Sequence, residues 1–354
     1  MPRPGQAILT EAIRREMAEG LYRVGEPLPS VDALRKRFGV GEWTVRAVLH
    51  ELQDEGLVSI VKHVGAVVTD KAAFAWKGHI AFANSSVSGS YYVHRFACQL
   101  ANRLESAGWM MHQVFLDPVG EDVVDASPLA RHVTGGLDFA IVLSEHPLFT
   151  NLFDRAGVPY IVIGGGTRGF PNARAIVKSD MSECFADLIA SMKAQNLKHI
   201  LEVDFDRRMD RSFKLQLAAA GINVRRLMCT FDNGRDRYSL GDVTAGGRRV
   251  VAEFLDNSKN RAHPPDVILF DDDYLAAGGV SALLEAGLRI PEDIRVVAHS
   301  NRGNELALVQ SLARIESDPA ANADLVADYV MALLAGRRAA VPRPKIRFVH
   351  GGGL

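Results

Sequence analysis

The chain has few cysteines, no long apolar run and almost no net charge. Its 354 residues include three cysteines, Cys98, Cys184 and Cys229, which lie far apart and match no metal-ligand spacing. Isolated thiols of odd number are expected to stay reduced, as in cytoplasmic proteins. No stretch approaches the roughly 18 apolar residues that span a membrane, and the N-terminus lacks the apolar core of a signal peptide. We therefore expect a cytoplasmic protein.

The charges give no overall attraction to an anionic partner. The chain has 41 basic and 42 acidic residues and a formal net charge of -1. Residues 1–76 contain 10 Lys and Arg and 10 Asp and Glu, so their net charge is zero. Any binding to nucleic acid must therefore depend on where the charges lie. The length and the apolar content of 47% predict two or three globular domains with cores of their own.

Residues 6–69 have a helical pattern that ends in two short apolar runs. A first helix is predicted in AILTEAIRREMAEG, and Ser30 is placed to cap a second one that Gly39 ends. In EWTVRAVLHELQDEG, four apolar residues share one face, while Trp43 and Arg46 project from the other. The segment LVSIVKHVGAVVTD predicts a β-hairpin. Three helices and a hairpin wing form an arrangement that places one helix in the major groove of DNA.

From residue 78 onward, short apolar strands alternate with helices. HIAFAN precedes RFACQLANRLESAG, and DVILFD precedes YLAAGGVSALLEAG. This alternation predicts an α/β fold with parallel sheets that helices cover on both faces. Ligands of such sheets bind at the loops that follow the carboxyl ends of the strands.

The N-terminal segment LPSVDALRKRFGVGEWTVRAVLHELQDEGLV, with VGAVV after it, resembles the winged helix-turn-helix of the GntR regulators. The resemblance implies DNA contacts by Thr44, Arg46 and the backbone of Gly65. Where family members commonly carry two arginines, this chain has Asp32 and Glu42. A carboxylate near a phosphate adds repulsion, although Glu42 could instead accept a hydrogen bond from a cytosine amino group.

The predicted DNA-contacting surface combines the second helix, the recognition helix and the wing. Arg37 is expected on or beside this surface. Its predicted DNA-binding residues are Ser30, Arg35, Lys36, Glu42, Trp43, Thr44, Arg46, Lys62, His63 and Gly65. The alternative is a small helical domain used for dimerisation, with a merely solvated Arg46.

Residues 78 to about 350 resemble the effector domain of LacI-type repressors and periplasmic sugar-binding proteins, most clearly in PPDVILFDDDYLAAGGVSALLEAGLRIPEDIRVVAHSN. The resemblance implies two α/β lobes that bind a small-molecule effector. It predicts a winged helix-turn-helix domain at 1–69, a linker at 70–77 and a LacI-like effector-binding and dimerisation domain at 78–354. The implied partners are a sugar effector, a second copy of the chain and a palindromic double-stranded DNA operator. The default mode is a repressor that its effector releases.

The LacI-type resemblance also assigns the three consecutive aspartates that follow VILF. Asp273 corresponds to the family's ligand-contacting aspartate and Asp272 to its asparagine, while Asp271 is interpreted as structural. One of Asp271 and Asp272 is expected to cap the following helix. A carboxylate at such a strand end accepts hydrogen bonds from two sugar hydroxyls. The predicted effector-binding residues are Ser86, Tyr91, Tyr92, Arg208, Asp272, Asp273, Ser300 and Asn301, and the two tyrosines fit simple packing equally well.

Other functions have weaker support in the sequence. DDDY lacks the alternating carboxylates of a calcium loop, so neither a metal nor a cofactor is predicted. GGGTRG satisfies a nucleotide-binding spacing, but no helix follows it. No nucleophile or acid/base pair accompanies Asp273, so we predict no enzymatic activity. The competing interpretation is a sugar-binding α/β protein or enzyme with a vestigial DNA-binding head.

We predict that Arg46→Ala abolishes specific operator binding without unfolding the N-terminal domain. Arg46 projects from the predicted recognition helix, where an arginine reads guanine through paired hydrogen bonds. A gel-shift titration measures the operator affinity, and circular dichroism checks the fold. An unchanged operator affinity would contradict the assignment of this helix to DNA recognition.

Overall fold

The structure is a computed structural model. It describes residues 4–73, 76–84, 90–115, 118–120, 123–143, 147–164, 170, 172–204, 211–230, 239–258, 260, 263–304, 312–351 and 353–354. Two compact units divide the chain: Met1–Ala81 with Ala101–His112 and Gly136–Phe139, and the remainder up to Leu354. Among the described helices, none combines the length and apolar character that crossing a membrane requires.

The N-terminal domain has the predicted three helices. They are α1 (Pro4–Ala18), α2 (Val31–Phe38) and α3 (Glu42–Asp54). The Ser30 hydroxyl accepts a hydrogen bond from the Ala33 backbone N–H at 3.2 Å and so caps α2 as expected. Gly39 ends α2 in the left-handed conformation at φ 65°, which glycine adopts without steric cost.

The wing is an antiparallel hairpin of β1 (Val58–Val61) and β2 (Gly65–Val68). The segment before α2 is hydrogen-bonded to this hairpin, because the Leu28 N–H donates to the Ala66 carbonyl at 2.7 Å. Apolar residues of the helices and the wing form one buried core, which the amphipathic spacing of α1 and α3 produces. Its largest fully buried members include Leu9, Ile13, Leu34 and Leu52.

A short helix, α4 (Asp70–Ala73), follows the wing in the segment predicted as a linker. The Thr69 hydroxyl donates to the Gly56 carbonyl at 2.6 Å, which ties the end of β2 to the turn after α3. Lys71 donates to the Glu55 carbonyl. Part of the predicted linker is therefore ordered against the N-terminal domain.

After the wing domain, the first α/β segment builds a five-stranded sheet in the order β4-β3-β7-β8-β9. β7 pairs with β8, and β8 with β9, in parallel register, as the strand-helix alternation predicts. A small hairpin of β5 and β6 lies outside this sheet. The elements are β3 (Gly78–Asn84), α5 (Tyr91–Ser106), β4 (Trp109–Phe115), β5 (Pro118–Gly120), β6 (Val123–Val124), α6 (Ser127–Thr134), β7 (Phe139–Leu143), α7 (Pro147–Ala156), β8 (Tyr160–Ile163) and β9 (Ala175–Val177).

The second α/β segment builds a six-stranded sheet in the order β11-β10-β12-β13-β14-β15. All its strand pairs are parallel except β14 with β15. The elements are α8 (Ser182–Ala194), β10 (His199–Asp204), α9 (Arg211–Ala219), β11 (Asn223–Met228), α10 (Leu240–Asp256), β12 (Val267–Phe270), α11 (Asp273–Glu285), β13 (Arg295–Asn301), β14 (Ala313–Ser317), α12 (Pro319–Leu334) and β15 (Arg347–Val349).

Helices bury both faces of the six-stranded sheet. One face packs side chains such as Ile268 and Phe270 against α10 and α11. The other packs Ile200 and Leu269 against α8 and α9. Because successive strand residues point to opposite faces, these strands read as continuous apolar runs. The polar residues at their carboxyl ends therefore stand out from the pattern.

Glycine allows α10 and α11 to touch through their backbones. A Cβ atom on Gly278 of α11 would lie 1.8 Å from the Thr244 carbonyl oxygen, and one on Gly247 of α10 would lie 2.3 Å from the Leu275 carbonyl oxygen. A Cβ on Gly279 would meet the Phe270 ring at 2.2 Å. These contacts fix the position of α11 on the sheet.

Gly278→Ala is expected to lower the free energy of unfolding by about 1–3 kcal/mol, because backbone atoms cannot move aside for the added methyl group. Urea unfolding followed by circular dichroism measures the change. The matched control is Gly241→Ala in the first turn of α10, where the nearest atom to the new Cβ is the Ser239 Oγ at 3.5 Å. If both variants unfold at the same urea concentration, the close helix contact is not a constraint on the fold.

Candidate DNA-binding and effector-binding sites

The recognition helix α3 exposes the side chains predicted to read DNA. Trp43 is 86% exposed, which is unusual for the largest apolar side chain. Arg46 is also exposed, and its Nε and Nη2 atoms lie 2.9 and 2.8 Å from the Glu42 Oε1 atom one turn earlier. Thr44 is half-buried. The guanidinium thus already has a carboxylate partner on its own helix.

A similar ion pair forms on α2. The Asp32 carboxylate lies 2.8 Å from the Lys36 Nζ and 2.9 Å from the Arg35 Nη2. The hydrogen bond from Lys36 and the charge of Arg35 lower the pKa of Asp32. The two acids that replace the family's arginines therefore each neutralise basic residues on the predicted DNA-contacting surface. Exposed pairs of this kind contribute little to stability.

The wing presents its predicted residues at its turn. Lys62, His63 and Gly65 are exposed there, and His63 and Gly65 have positive φ angles of 67° and 109°. The placement of Arg37 on or beside the DNA-contacting surface stays a prediction. Its guanidinium pairs with Glu16 of α1, a residue that is 9% exposed, and so it joins two helices of the domain.

The three aspartates after β12 have different environments. Asp272 is the N-cap of α11, because its Oδ1 accepts from the backbone N–H groups of Tyr274 at 2.8 Å and Leu275 at 3.2 Å. The structural role expected of Asp271 thus belongs to Asp272. Partial burial and the neighbouring Asp273 charge raise the pKa of Asp272 to about 6, against the effect of its backbone hydrogen bonds. Its second oxygen stays a predicted effector contact.

Asp273 is the centre of a buried polar group, which we call the Asp273 cluster: Tyr91, Asp273, Tyr274, Ser300, Asn301 and Asn304. The Asp273 side chain is 3% exposed, and its Oδ2 accepts from the amide nitrogens of Asn301 at 3.2 Å and Asn304 at 2.9 Å. Ser300 and Asn301 end β13, the strand beside β12, and the Asn301 side chain reaches Asp273. Four of the predicted effector-binding residues, Tyr91, Asp273, Ser300 and Asn301, are therefore members of this cluster.

Two polar atoms of the Asp273 cluster lack hydrogen bonds within the described part of the chain. The Ser300 Oγ and the Asn301 Oδ1 are buried, and no described residue is their hydrogen-bond partner. A buried polar group without a partner costs about 1–3 kcal/mol, which a ligand hydroxyl would recover. The cluster thus combines a buried carboxylate with a donor-acceptor hydroxyl and an amide oxygen that are available to a polar ligand.

The two predicted tyrosines differ in their surroundings. The Tyr91 hydroxyl donates to the Arg302 carbonyl at 3.3 Å, and a Cβ on Gly303 would come within 2.4 Å of the same hydroxyl. Tyr92 stacks on Phe96 with ring centroids 5.8 Å apart, and its hydroxyl accepts from Asn322 at 3.4 Å. Burial raises the pKa of Tyr92. Tyr92 therefore fits the packing alternative better than Tyr91 does.

Sequence reasoning missed two members of the Asp273 cluster, Tyr274 and Asn304. The Tyr274 hydroxyl is hydrogen-bonded to the Tyr91 backbone and the Asn304 side chain. Burial and the Asp273 charge raise the pKa of Tyr274. Their position in the sequence was the available signal, since Asn304 lies three residues and Tyr274 four residues after the carboxyl end of a strand. Of the other predicted contacts, Ser86 and Arg208 lie outside the described residues.

Asp271 belongs to a separate group of charges, beside the end of β10. Ligand oxygens of Asp271, Glu202 and Asp204 all lie within 4.8 Å of one another. Arg226 of β11 lies beside Glu202 and Asp204. Although part of Asp271 is exposed, partial desolvation and the charges of Asp204 and Glu202 raise its pKa to about 8, and Arg226 opposes that shift.

The two cavities that the structure defines lie away from the Asp273 cluster. One of about 420 Å³ runs between α9 and β11, where Glu202, Lys214 and Arg226 are among its lining residues. The other, of about 510 Å³, is an open depression beside α6. Neither of these two cavities is lined by Asp273, and the effector assignment depends on the chemical character of the cluster.

A wing domain with an exposed recognition helix, joined to helix-covered parallel sheets with a polar cluster at the strand ends, is the architecture of a ligand-responsive DNA-binding protein. Residues 7–68 match the family model of bacterial regulatory proteins of the gntR family. Residues 193–351 match the model of the periplasmic binding protein-like domain. The chain thus carries a GntR-type helix-turn-helix followed by a periplasmic-binding-protein-like domain, as predicted.

Solved structures support the same fold. A LacI family transcriptional regulator from Arthrobacter sp. FB24, in complex with lactose, is 20% identical with a TM-score of 0.60, covering 78% of this chain and 98% of that one. A LacI family regulator from Enterococcus faecium with bound ribose is 17% identical with the same TM-score and the same coverage. Both of these solved structures therefore share the fold of this chain.

A curated relative matches a short part of the chain. The HTH-type transcriptional regulator RmpR of Mycobacterium gastri is 46% identical over 50 residues, which are 14% of this chain and 18% of that protein. The chain therefore matches less than a fifth of the length of this relative.

Glu42→Gln is expected to increase affinity for DNA and to steepen its salt dependence, because it frees Arg46 and removes a negative charge near the phosphates. Each added phosphate contact changes the slope of log K against log salt by about 0.9. Fluorescence anisotropy with labelled duplex DNA at several salt concentrations measures both quantities. The control is Glu11→Gln, which makes the same charge change at an exposed position of α1. Equal slopes for the two variants would mean that Glu42 does not restrain Arg46 at the DNA.

Proposed function

We propose that the chain is a transcription regulator whose affinity for operator DNA is controlled by a small polyhydroxylated effector, most simply a sugar. Residues 1–69 form the DNA-binding domain, 70–77 the linker, and 78–354 the effector-binding and dimerisation domain. The matches to a GntR-type helix-turn-helix and to a periplasmic-binding-protein-like domain support this arrangement. The lactose and ribose bound by two solved neighbours support a sugar as the effector.

The observation that carries the effector assignment is the unfulfilled hydrogen bonding of the Asp273 cluster. A sugar ring offers several hydroxyls, each of which donates and accepts a hydrogen bond. Asp273 would accept from them, whereas the Ser300 Oγ and the Asn301 Oδ1 would gain the partners that the described chain does not give them. The Tyr91 ring offers an apolar surface for stacking at the same cluster.

The DNA-binding side of the proposal depends on α3 and the wing. One recognition helix covers a half-site, so two copies of the chain would address a palindromic operator through paired major grooves. Dimerisation through the effector domain would set the spacing of the two heads. We place the protein in the cytoplasm, where such DNA lies, in agreement with the free state of its three cysteines.

Control by the effector requires different affinities for two states of the effector domain. A sugar that binds one arrangement of the strand ends more tightly shifts the population toward that arrangement. A change in head spacing would then alter operator affinity, with a coupling of about 1–3 kcal/mol, or roughly 5–150-fold. Release of a repressor by its effector is the default direction.

A thermal-shift screen of mono- and disaccharides is expected to find a sugar that stabilises the full chain and also weakens its binding to an operator selected from random DNA. Asp273→Asn should abolish the shift, because it replaces the central acceptor of the cluster. Ser300→Ala should weaken binding of the sugar about tenfold. It should not lower the stability of the chain, since it removes a hydroxyl that makes no hydrogen bond to the described residues.

The matched control is Asp187→Asn, which removes an exposed carboxylate of α8. It should leave both the thermal shift and the operator release unchanged. A sugar that stabilises Asp273→Asn as strongly as the native chain would place the effector elsewhere. Turnover of a bound sugar would instead support the competing enzyme.

A further inference from the structure

We propose that Glu202, Asp204 and Asp271 bind a hard divalent cation at the carboxyl ends of β10 and β12. The site is separate from the Asp273 cluster and does not depend on the proposed effector. Oxygens of the three carboxylates lie within 4.8 Å of one another. A Ca²⁺ ion bonds oxygen at about 2.3–2.6 Å. Two oxygens on opposite sides of one ion are therefore separated by about twice that bond length, which is close to the separation of these carboxylate oxygens.

The strands position the three carboxylates. β10 and β12 pair in parallel with Val203 opposite Phe270, and the Asp271 N–H donates to the Val203 carbonyl at 3.2 Å. Asp271 is thereby held directly past the strand end, beside Asp204. Because residues alternate between faces, Glu202 and Asp204 point to the same side of the sheet. The register of β10 and β12 thus brings these three carboxylates together.

Glu202 supplies the independent sign that a ligand belongs here. Its side chain is fully buried, and neither of its carboxylate oxygens accepts a hydrogen bond from a described residue. The Arg226 Nε lies 3.2 Å from the Glu202 Oε2 as a charge contact without hydrogen-bond alignment. A buried carboxylate normally has its oxygens satisfied, and a bound ion is one of the partners that satisfies them.

The charges of the site leave room for a divalent ion. When a cation holds all three carboxylates in their ionised form, they contribute -3 and the Arg226 guanidinium contributes +1, so the formal sum is -3 + 1 = -2. Lys214 of α9 is exposed and acts on Glu202 only at longer range. Oxygen ligands without cysteine or histidine select Ca²⁺, Mg²⁺ or Mn²⁺ over softer metals. The exposed Asp271 gives the ion a path from solvent.

A cation here would join β10 to β12 immediately before Asp272 and Asp273. The same strand end leads into the N-cap of α11 and the Asp273 cluster. The ion would therefore stabilise the element that presents the proposed effector contacts, while its binding is measurable in the absence of any effector.

The test uses the full chain, stripped with EDTA and then given CaCl₂, MgCl₂ or MnCl₂, with NaCl at equal ionic strength as the salt control. At least one of the divalent ions should raise the Tm by about 3 °C or more at tenfold its Kd. Isothermal titration calorimetry should give one ion per chain. Asp271→Asn should lower the affinity for that ion at least tenfold, and Asp187→Asn should not change this affinity.

Metal-free Asp271→Asn provides a second measurement, which requires no substitution of the buried Glu202. Without metal and above pH 8, where Asp271 is ionised, the variant should have a higher Tm than the native chain, because it removes one of three mutually repelling carboxylates. With metal, the native chain should gain stability and the variant should not. The proposal is overturned if no divalent ion raises the Tm more than the NaCl control does, or if the metals stabilise Asp271→Asn as much as the native chain. It is also overturned if the organic cation spermidine binds the chain and the metal ions do not.

Discussion

The close contact between α10 and α11 fixes the region on which the effector site depends. Gly247 and Gly278 let the two helix backbones touch, and Gly279 leaves space for the Phe270 ring of β12. α11 is thereby held against the end of the strand that precedes it. The Asp272 cap then determines the direction in which the chain leaves β12, and Asp273 turns into the buried side. A small shift of α11 would move Asp273 away from the amides of Asn301 and Asn304.

The three adjacent aspartates show how position decides the chemistry of identical side chains. Asp272 uses its carboxylate to cap a helix, and Asp273 accepts from the amides of Asn301 and Asn304. Asp271 lies beside Glu202 and Asp204. The alternation of a strand and the start of a helix separate these three environments within a few ångströms. One strand end thus serves the helix, the proposed effector and the proposed cation.

Charge in the N-terminal domain is arranged on the same helices that are predicted to contact DNA. Glu42 holds Arg46, and Asp32 holds Arg35 and Lys36. These ion pairs explain how a domain without net charge can keep basic groups on one surface. They also restrict the Arg46 side chain to fewer rotamers, which favours specific contacts over general attraction to phosphate. Arg37 serves the domain's own packing through Glu16.

The sequence by itself determined the element types, the wing and both domain families, because periodicity, caps and glycine positions are local properties. It also identified Asp273, Ser300 and Asn301, since each directly follows or ends an apolar strand. Tertiary structure alone decided that Asn304 and Tyr274 join them, that Asp272 and not Asp271 caps α11, and that Asp271 meets Glu202 and Asp204. These groupings depend on strand order and register, which bring together residues about 70 positions apart and which no local pattern encodes.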